Sequence, residues 1–208
     1  MTGLIGVNTR LGAVHRRCPK APLSWRVKNF LLYRAPDFPR LFVAYVARFF
    51  GVPVIVSHLR AKVRKADGRW IDYGVISTRV VTNNGVAFLV DAWQNIVELE
   101  IMKYHGVGTG TNAENAADSA LQTECTTVLN PDSTRATGSL AEGASANVFR
   151  SIGTPLFDNT AAVTEHGLLS QAATGGGTLW DRSVFAAINV VSGDSIQFTY
   201  DSTFTAGS

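Results

Sequence analysis

The stretch SGDSIQFTYDSTF (192–204) decides how the chain is read. Ile196, Phe198 and Tyr200 alternate with Gln197, Thr199 and Asp201. This is the period of a strand with one buried and one wetted face. Ser192-Gly193-Asp194 supplies the turn before it. Further strands are expected at 135–141, 145–152, 161–168 and 178–188, each an apolar run between small, turn-forming residues. Several short strands with regular turn signals predict a jelly roll or β-sandwich. A short helix is expected at 116–124, and a strand at 101–107.

Upstream the texture changes. Ile55, Leu59, Ala61 and Val63 fit one face of a strand, and Asp67-Gly68 is a strong hairpin signal leading to a return strand at 70–81. Asn83-Asn84-Gly85 then turns into a helix, near 86–97, on which Val86, Leu89, Val90 and Trp93 occupy i, i+3, i+4 and i+7. Residues 1–24 read as a basic, irregular arm. Residues 25–34 have helical spacing. Pro39 suits the start of a second helix, which runs to Phe50 and stops at Gly51. Leu41, Phe42, Tyr45, Val46 and Phe49 share a face of it. The expected fold is mainly β with an α+β N-terminal part. Residues 1–67 form a basic arm with two short helices and a first strand, and 68–208 form the β-rich domain.

Charge divides the chain in the same way. Residues 1–79 hold 15 Lys or Arg against Asp37, Asp67 and Asp72, a balance of +12. Residues 80–208 hold four basic residues against 13 acidic ones, a balance of −9. The basic part favours a polyanion or an acidic protein face. With 46% hydrophobic and 17% charged residues, the 208-residue chain has ample material for a core. The richest apolar stretch, 41–56, is broken by Arg48, Gly51 and Pro53, so no membrane span is expected. The opening MTGLIGVNTR lacks the basic cluster and apolar run of a secretory signal.

Motifs of catalysis are not legible. Gly106-Val107-Gly108-Thr109-Gly110 has neither dinucleotide-loop nor Walker spacing and reads as a flexible turn. His15, His58, His105 and His166 are scattered, and Cys18 and Cys125 lack zinc-ligand spacing and read as reduced thiols. Glu165 and His166 are neighbours on a strand, so they point to opposite faces and form no acid–base pair. No serine lies in Gly-x-Ser-x-Gly. No catalytic residue, metal ligand or cofactor is expected. Arginines interleaved with aromatics between Trp25 and Phe50 suit either nucleic acid or a protein interface. Their helical spacing favours core or interface, so nucleic acid is not the expected partner.

Five phrases carry a family resemblance. They are GRWIDYGVISTRVVTNNGVAFLVDAWQ (68–94), KYHGVGTGTNAENAADSALQTE (103–124), RATG (135–138), TEHGLLSQAATGGGTLWDRSVFAAINV (164–190) and SGDSIQFTYDSTFTA (192–206). In this order they resemble a family of structural proteins of tailed-bacteriophage virions, over about two thirds of the chain. The resemblance implies a β-rich assembly module with no catalytic residues. The expected function is a capsid decoration (cement) protein, made in the host cytoplasm and carried on the capsid surface. Its expected partners are the major capsid protein or neighbouring virion proteins, and it is expected to form a homo-oligomer, a trimer first. The alternatives are a tail or head–tail connector component, a packaged genome-binding protein, and a particle-borne glycan hydrolase. Partner contacts are assigned to Arg16, Arg17, Lys20, Trp25, Phe42, Tyr45 and Phe49, because cations and aromatics dominate such interfaces.

Overall fold

Asp67-Gly68 builds the hairpin its sequence predicts. β1 (Val54–Arg64) pairs antiparallel with β2 (Trp70–Arg79), and Gly68 takes the left-handed φ of +83° that the turn needs. The chain continues through β3 (Tyr104–Gly108), β4 (Ala136–Thr137), β5 (Ser139–Glu142), β6 (Val148–Gly153), β7 (Ala161–Leu169), β8 (Leu179–Val190) and β9 (Ser195–Thr205). These make two antiparallel sheets, one in the order β2-β1-β9-β6-β5 and the other β4-β3-β7-β8. The protein is mainly β. The computed structural model describes residues 18–206 except Val80.

β1 pairs with β9 along its whole length, from Val54 opposite Thr205 to Arg64 opposite Ser195. The division expected at residue 67 therefore falls in a hairpin turn inside one sheet. The strand assigned to the N-terminal part lies between β2 and β9. Its alternation is strict: Leu59, Ala61 and Val63 are buried while Arg60, Lys62 and Arg64 are exposed.

One hydrophobic cluster draws on both sheets. Leu59, Ile196 and Phe198 come from the first, and Val107, Leu168 and Phe185 from the second. Four polar groups lie within this interior without being orphaned. The Trp180 indole N–H donates to the Tyr200 hydroxyl at 2.7 Å, and that hydroxyl bonds Ser57 and Ser202. Burial, with the Asp181 charge adding to it, pushes the Tyr200 phenol well above its ordinary pKa, so it stays a neutral donor.

The helices are α1 (Leu23–Asn29), α2 (Phe38–Phe49) and α3 (Asn83–Trp93). A π-helical turn, Phe30–Arg34, and a 3-10 turn, Ala35–Asp37, link α1 to α2. Pro39 lies in the first turn of α2, and Gly51 beyond its end has φ +76°. Thr82 caps α3 by accepting the Gly85 N–H at 2.9 Å. A Cβ on Gly85 would stand 2.5 Å from the Trp180 carbonyl oxygen, so only glycine lets α3 lie this close to β8.

Two expectations fail here. Of the expected α3 stripe only Leu89 packs against the core; Val86, Val90 and Trp93 are exposed, and α3 buries Gly85 and Phe88 instead. Residues 116–124 contain no helix. Asn115 and Asp118 hold the start of that segment in side-chain-to-backbone turns, which compete with helix. The carboxylate of Glu165 then captures its Gln122 and Thr123 N–H groups.

Candidate interaction surface

The N-terminal residues divide between structure and surface. Pro19–Ala21 hydrogen-bonds along the outer edge of β2 through Asp72, and Lys20 pairs with the Asp72 carboxylate. That pairing blunts an otherwise open sheet edge. Asn29, inside α1, is buried. Its Nδ2 donates to the Ile76 carbonyl on β2 at 2.9 Å, and its Oδ1 accepts the Ala186 N–H on β8 at 2.9 Å. One side chain thus ties together the outermost strands of the two sheets.

Trp25, expected at a partner interface, belongs to the same clasp. Its indole N–H donates to the Ala186 and Ala187 carbonyls, and its ring meets Tyr73 edge-on at 4.7 Å. Lys20 is largely exposed but directed at Asp72. Arg16 and Arg17 lie outside the described residues.

Phe42, Tyr45 and Phe49 do form a surface. They are 69%, 71% and 82% exposed. Val46 is exposed beside them, so the four make an exposed i, i+3, i+4, i+7 stripe, with Tyr45 also lining the gap beneath α2. α2 rests on the end of the first sheet through Leu41, Ala44 and Arg48, over a gap of about 240 Å³ above His58 and Thr203. Burial, then Arg60 and Arg34, lower the His58 pKa, so that imidazole is held toward neutrality. A second gap, about 420 Å³, separates Leu41 and Ala44 from Val86 on α3. Both helices thus leave large apolar side chains uncovered, α3 at Val90 and at Trp93, which is 75% exposed. Soluble monomers rarely leave so many large apolar side chains uncovered together.

The opposite character appears at the β5 edge. All four residues of β5 are exposed. Beside it runs an open groove of about 710 Å³ whose floor includes Leu99, Leu140, Phe149 and Phe204. Glu98, Glu100 and Glu142 line it, and none has an ion-pair partner among the described residues. Sequence reading missed this groove, because 98–100 and 140–149 meet only through the fold. It missed Asn29 too, although an asparagine inside a helix is itself a signal, since its side chain competes with the helical backbone unless it has another partner.

The sheets also assemble a relay that looks catalytic and is sealed. Ser151 Oγ lies 2.8 Å from His105 Nε2, and His105 Nδ1 lies 2.9 Å from His166 Nε2. All three residues are buried. A Cβ on Gly153 would collide with the His105 ring, and one on Gly138 with Ser151. Burial pulls the His105 pKa down to about 3, so the imidazole is neutral. Among the described residues this hydroxyl is fully buried, and the three side chains form a hydrogen-bond chain between the sheets. Its histidines come from different strands, which is why scattered sequence positions concealed it.

Glu165 faces the other way, as its adjacency to His166 requires. It accepts N–H groups from Gly110, Gln122 and Thr123, and the Arg182 guanidinium at 2.8 Å. The glycines of 106–110 serve this packing and not a flexible turn. A Cβ on Gly108 would come within 2.4 Å of both the Glu165 carboxylate and the Thr123 carbonyl. Among the described residues no cluster of three His, Cys, Asp or Glu is placed to hold a metal, and no helix is long and apolar enough to cross a membrane. No protein-family model, curated protein or solved structure matches the chain.

Proposed function

We propose that this protein is a structural component of a tailed-bacteriophage virion, and specifically a capsid decoration protein that binds the assembled shell. The observation that carries the reading is the exposed stripe Phe42-Tyr45-Val46-Phe49 on a small β-rich body. Such a stripe needs an apolar partner, and the five sequence phrases resemble proteins whose partners are other virion subunits. The body is read as a β-sandwich of the jelly-roll kind, supported by a single core drawn from both sheets. Binding to the shell stabilises only the assembled state, by mass action, which is how such a protein would strengthen a capsid.

Copy number in purified particles tests this. Decoration requires hundreds of chains per particle, whereas a tail or head–tail connector part requires few. A particle without the chain overturns the virion reading altogether.

One observation favours a second reading, a packaged genome-binding protein. Arg60, Lys62 and Arg64 form an exposed row on the outer face of β1, spaced about 7 Å apart as alternate strand residues. Duplex binding that weakens steeply with salt, and that is lost on Arg60→Glu/Arg64→Glu, would support it.

A further inference from the structure

We infer that the acidic groove beside β5 is the seat for α2 of a second copy of this chain, so that copies join head to tail. This names a partner for the helical surface and rests on reading that surface as a docking face. Three features of the molecule argue for it.

The first is shape and pattern. Helices that dock into grooves present anchors at i, i+3, i+4 and i+7. Phe42, Tyr45, Val46 and Phe49 stand at that spacing and are exposed. The groove offers about 710 Å³ over an apolar floor.

The second is charge. The segment 23–50, which carries the stripe, holds Arg26, Lys28, Arg34, Arg40 and Arg48 against Asp37 alone, a balance of +4. The groove is lined by Glu98, Glu100 and Glu142 and by no cation. Opposite fields of this kind set register and speed encounter.

The third is that the two surfaces do not meet within one molecule. Thr203 and Thr205 of β9 line the gap under α2, whereas Phe204 lines the acidic groove. Phe204 thus points away from the Thr203 and Thr205 side chains under α2, and no residue of α2 lines the groove among the described residues. The stripe and the groove are separate surfaces of one molecule, and a second copy can bring them together. Because the two surfaces differ, the contact is heterologous, and a discrete assembly requires that it close into a ring.

The test uses the full chain and sedimentation equilibrium at about ten micromolar. Phe42→Ser/Phe49→Ser removes the helix anchors and leaves the groove intact. Leu140→Arg/Glu142→Lys blocks the groove and leaves the helix intact. Each variant alone is expected to be monomeric, with the thermal melt of the parent protein. An equimolar mixture is expected to yield a one-to-one dimer, because one intact helix then meets one intact groove. The parent oligomer is expected to dissociate as salt rises.

A parent chain that is monomeric overturns the proposal, and so does a parent oligomer that survives both variants. A mixture that stays monomeric also overturns it, since that result belongs to a symmetric contact. Should Leu140→Arg/Glu142→Lys fail to fold, the triple change Glu98→Lys/Glu100→Lys/Glu142→Lys, at exposed positions only, replaces it. Oligomers of this kind that are absent from purified particles would overturn the virion reading and keep the contact. A monomer that decorates particles would do the reverse.

Discussion

Asn29 is the residue on which the closure of this fold depends most visibly. Removing its amide leaves the Ile76 carbonyl and the Ala186 N–H buried without partners. Each such loss costs roughly 1–3 kcal/mol. Asn29→Ala is therefore expected to lower stability by about 2–6 kcal/mol, read as a drop in the urea midpoint. His105 sets a pH dependence. Its folded pKa is about 3 against an ordinary 6.5, so the unfolded chain binds the extra proton between those values. Stability should be unaffected by this group above pH 6.5 and should fall as pH drops toward 3, by up to about 1.4 kcal/mol per unit. The carboxylates of Asp72 and Asp194 are different. Burial opposes their ionisation, but hydrogen bonds from Lys20 and from Lys65, with backbone N–H groups, win and hold both below the usual range. Their contribution is lost only below about pH 4. Denaturation curves between pH 6.5 and 4 should thus report His105 together with His58, whose pKa burial also lowers, and His105→Gln should reduce that slope. An unchanged slope would mean that the imidazole titrates normally.

At the scale of elements, β1 and the glycines around β3 owe their roles to distant partners. β1 sits between β2 and β9, so a fragment starting at residue 68 leaves β2 with no strand beside it and lacks the Leu59, Ala61 and Val63 side chains that fill the core. Fragment 68–208 is expected to show no cooperative melt, and a sharp transition would disprove this account of the sheet. The strand expected at 101–107 forms as β3, but the flexible turn expected at Gly106–Gly110 does not, because those glycines allow backbone and Glu165 to approach. Gly108→Ala should destabilise the protein by about 1–3 kcal/mol through overpacking against the Thr123 carbonyl, measurable by thermal denaturation. The helix expected at 116–124 failed for a related reason. The buried Glu165 carboxylate offers the backbone of that segment better partners than a helix would.

For the whole molecule, the sharp charge division along the chain becomes a spatial one. Among the described residues, Arg60, Lys62 and Arg64 lie exposed on β1 and Arg40 and Arg48 on α2, while Glu98, Glu100 and Glu142, which have no ion-pair partner among those residues, line the β5 groove. On the proposed virion reading, association with particles should therefore respond differently to two kinds of change. Arg16→Glu/Arg17→Glu should slow association and weaken its salt dependence, because long-range charge governs encounter. Phe42→Ala/Phe49→Ala should speed dissociation with little change in the association rate or the melt, since both rings are exposed. Surface plasmon resonance on immobilised particles separates the two rates. Equal effects on both would remove the distinction between steering and anchoring.

The strand alternations at 195–204, the Asp67-Gly68 hairpin, the proline start of α2 and the −9 balance of the later chain were determined by local sequence alone. Each depends on neighbours a few residues away, through backbone sterics, side-chain period or composition. The exposed aromatic stripe was legible as a pattern, but its exposure was not. Period fixes which residues share a face, and only packing decides which face is inside, as the largely exposed α3 stripe demonstrates. What the tertiary structure alone decided are the pairings between distant segments: Asn29 across two sheets, His105 with His166, Glu165 with the 122–123 backbone, and the groove where 98–100 meets 140–149. Such contacts depend on strand order and register, which no local spacing encodes. The partner residues follow the same rule, since Trp25 and Phe42 have similar chemistry and only the fold turns one inward and leaves the other exposed.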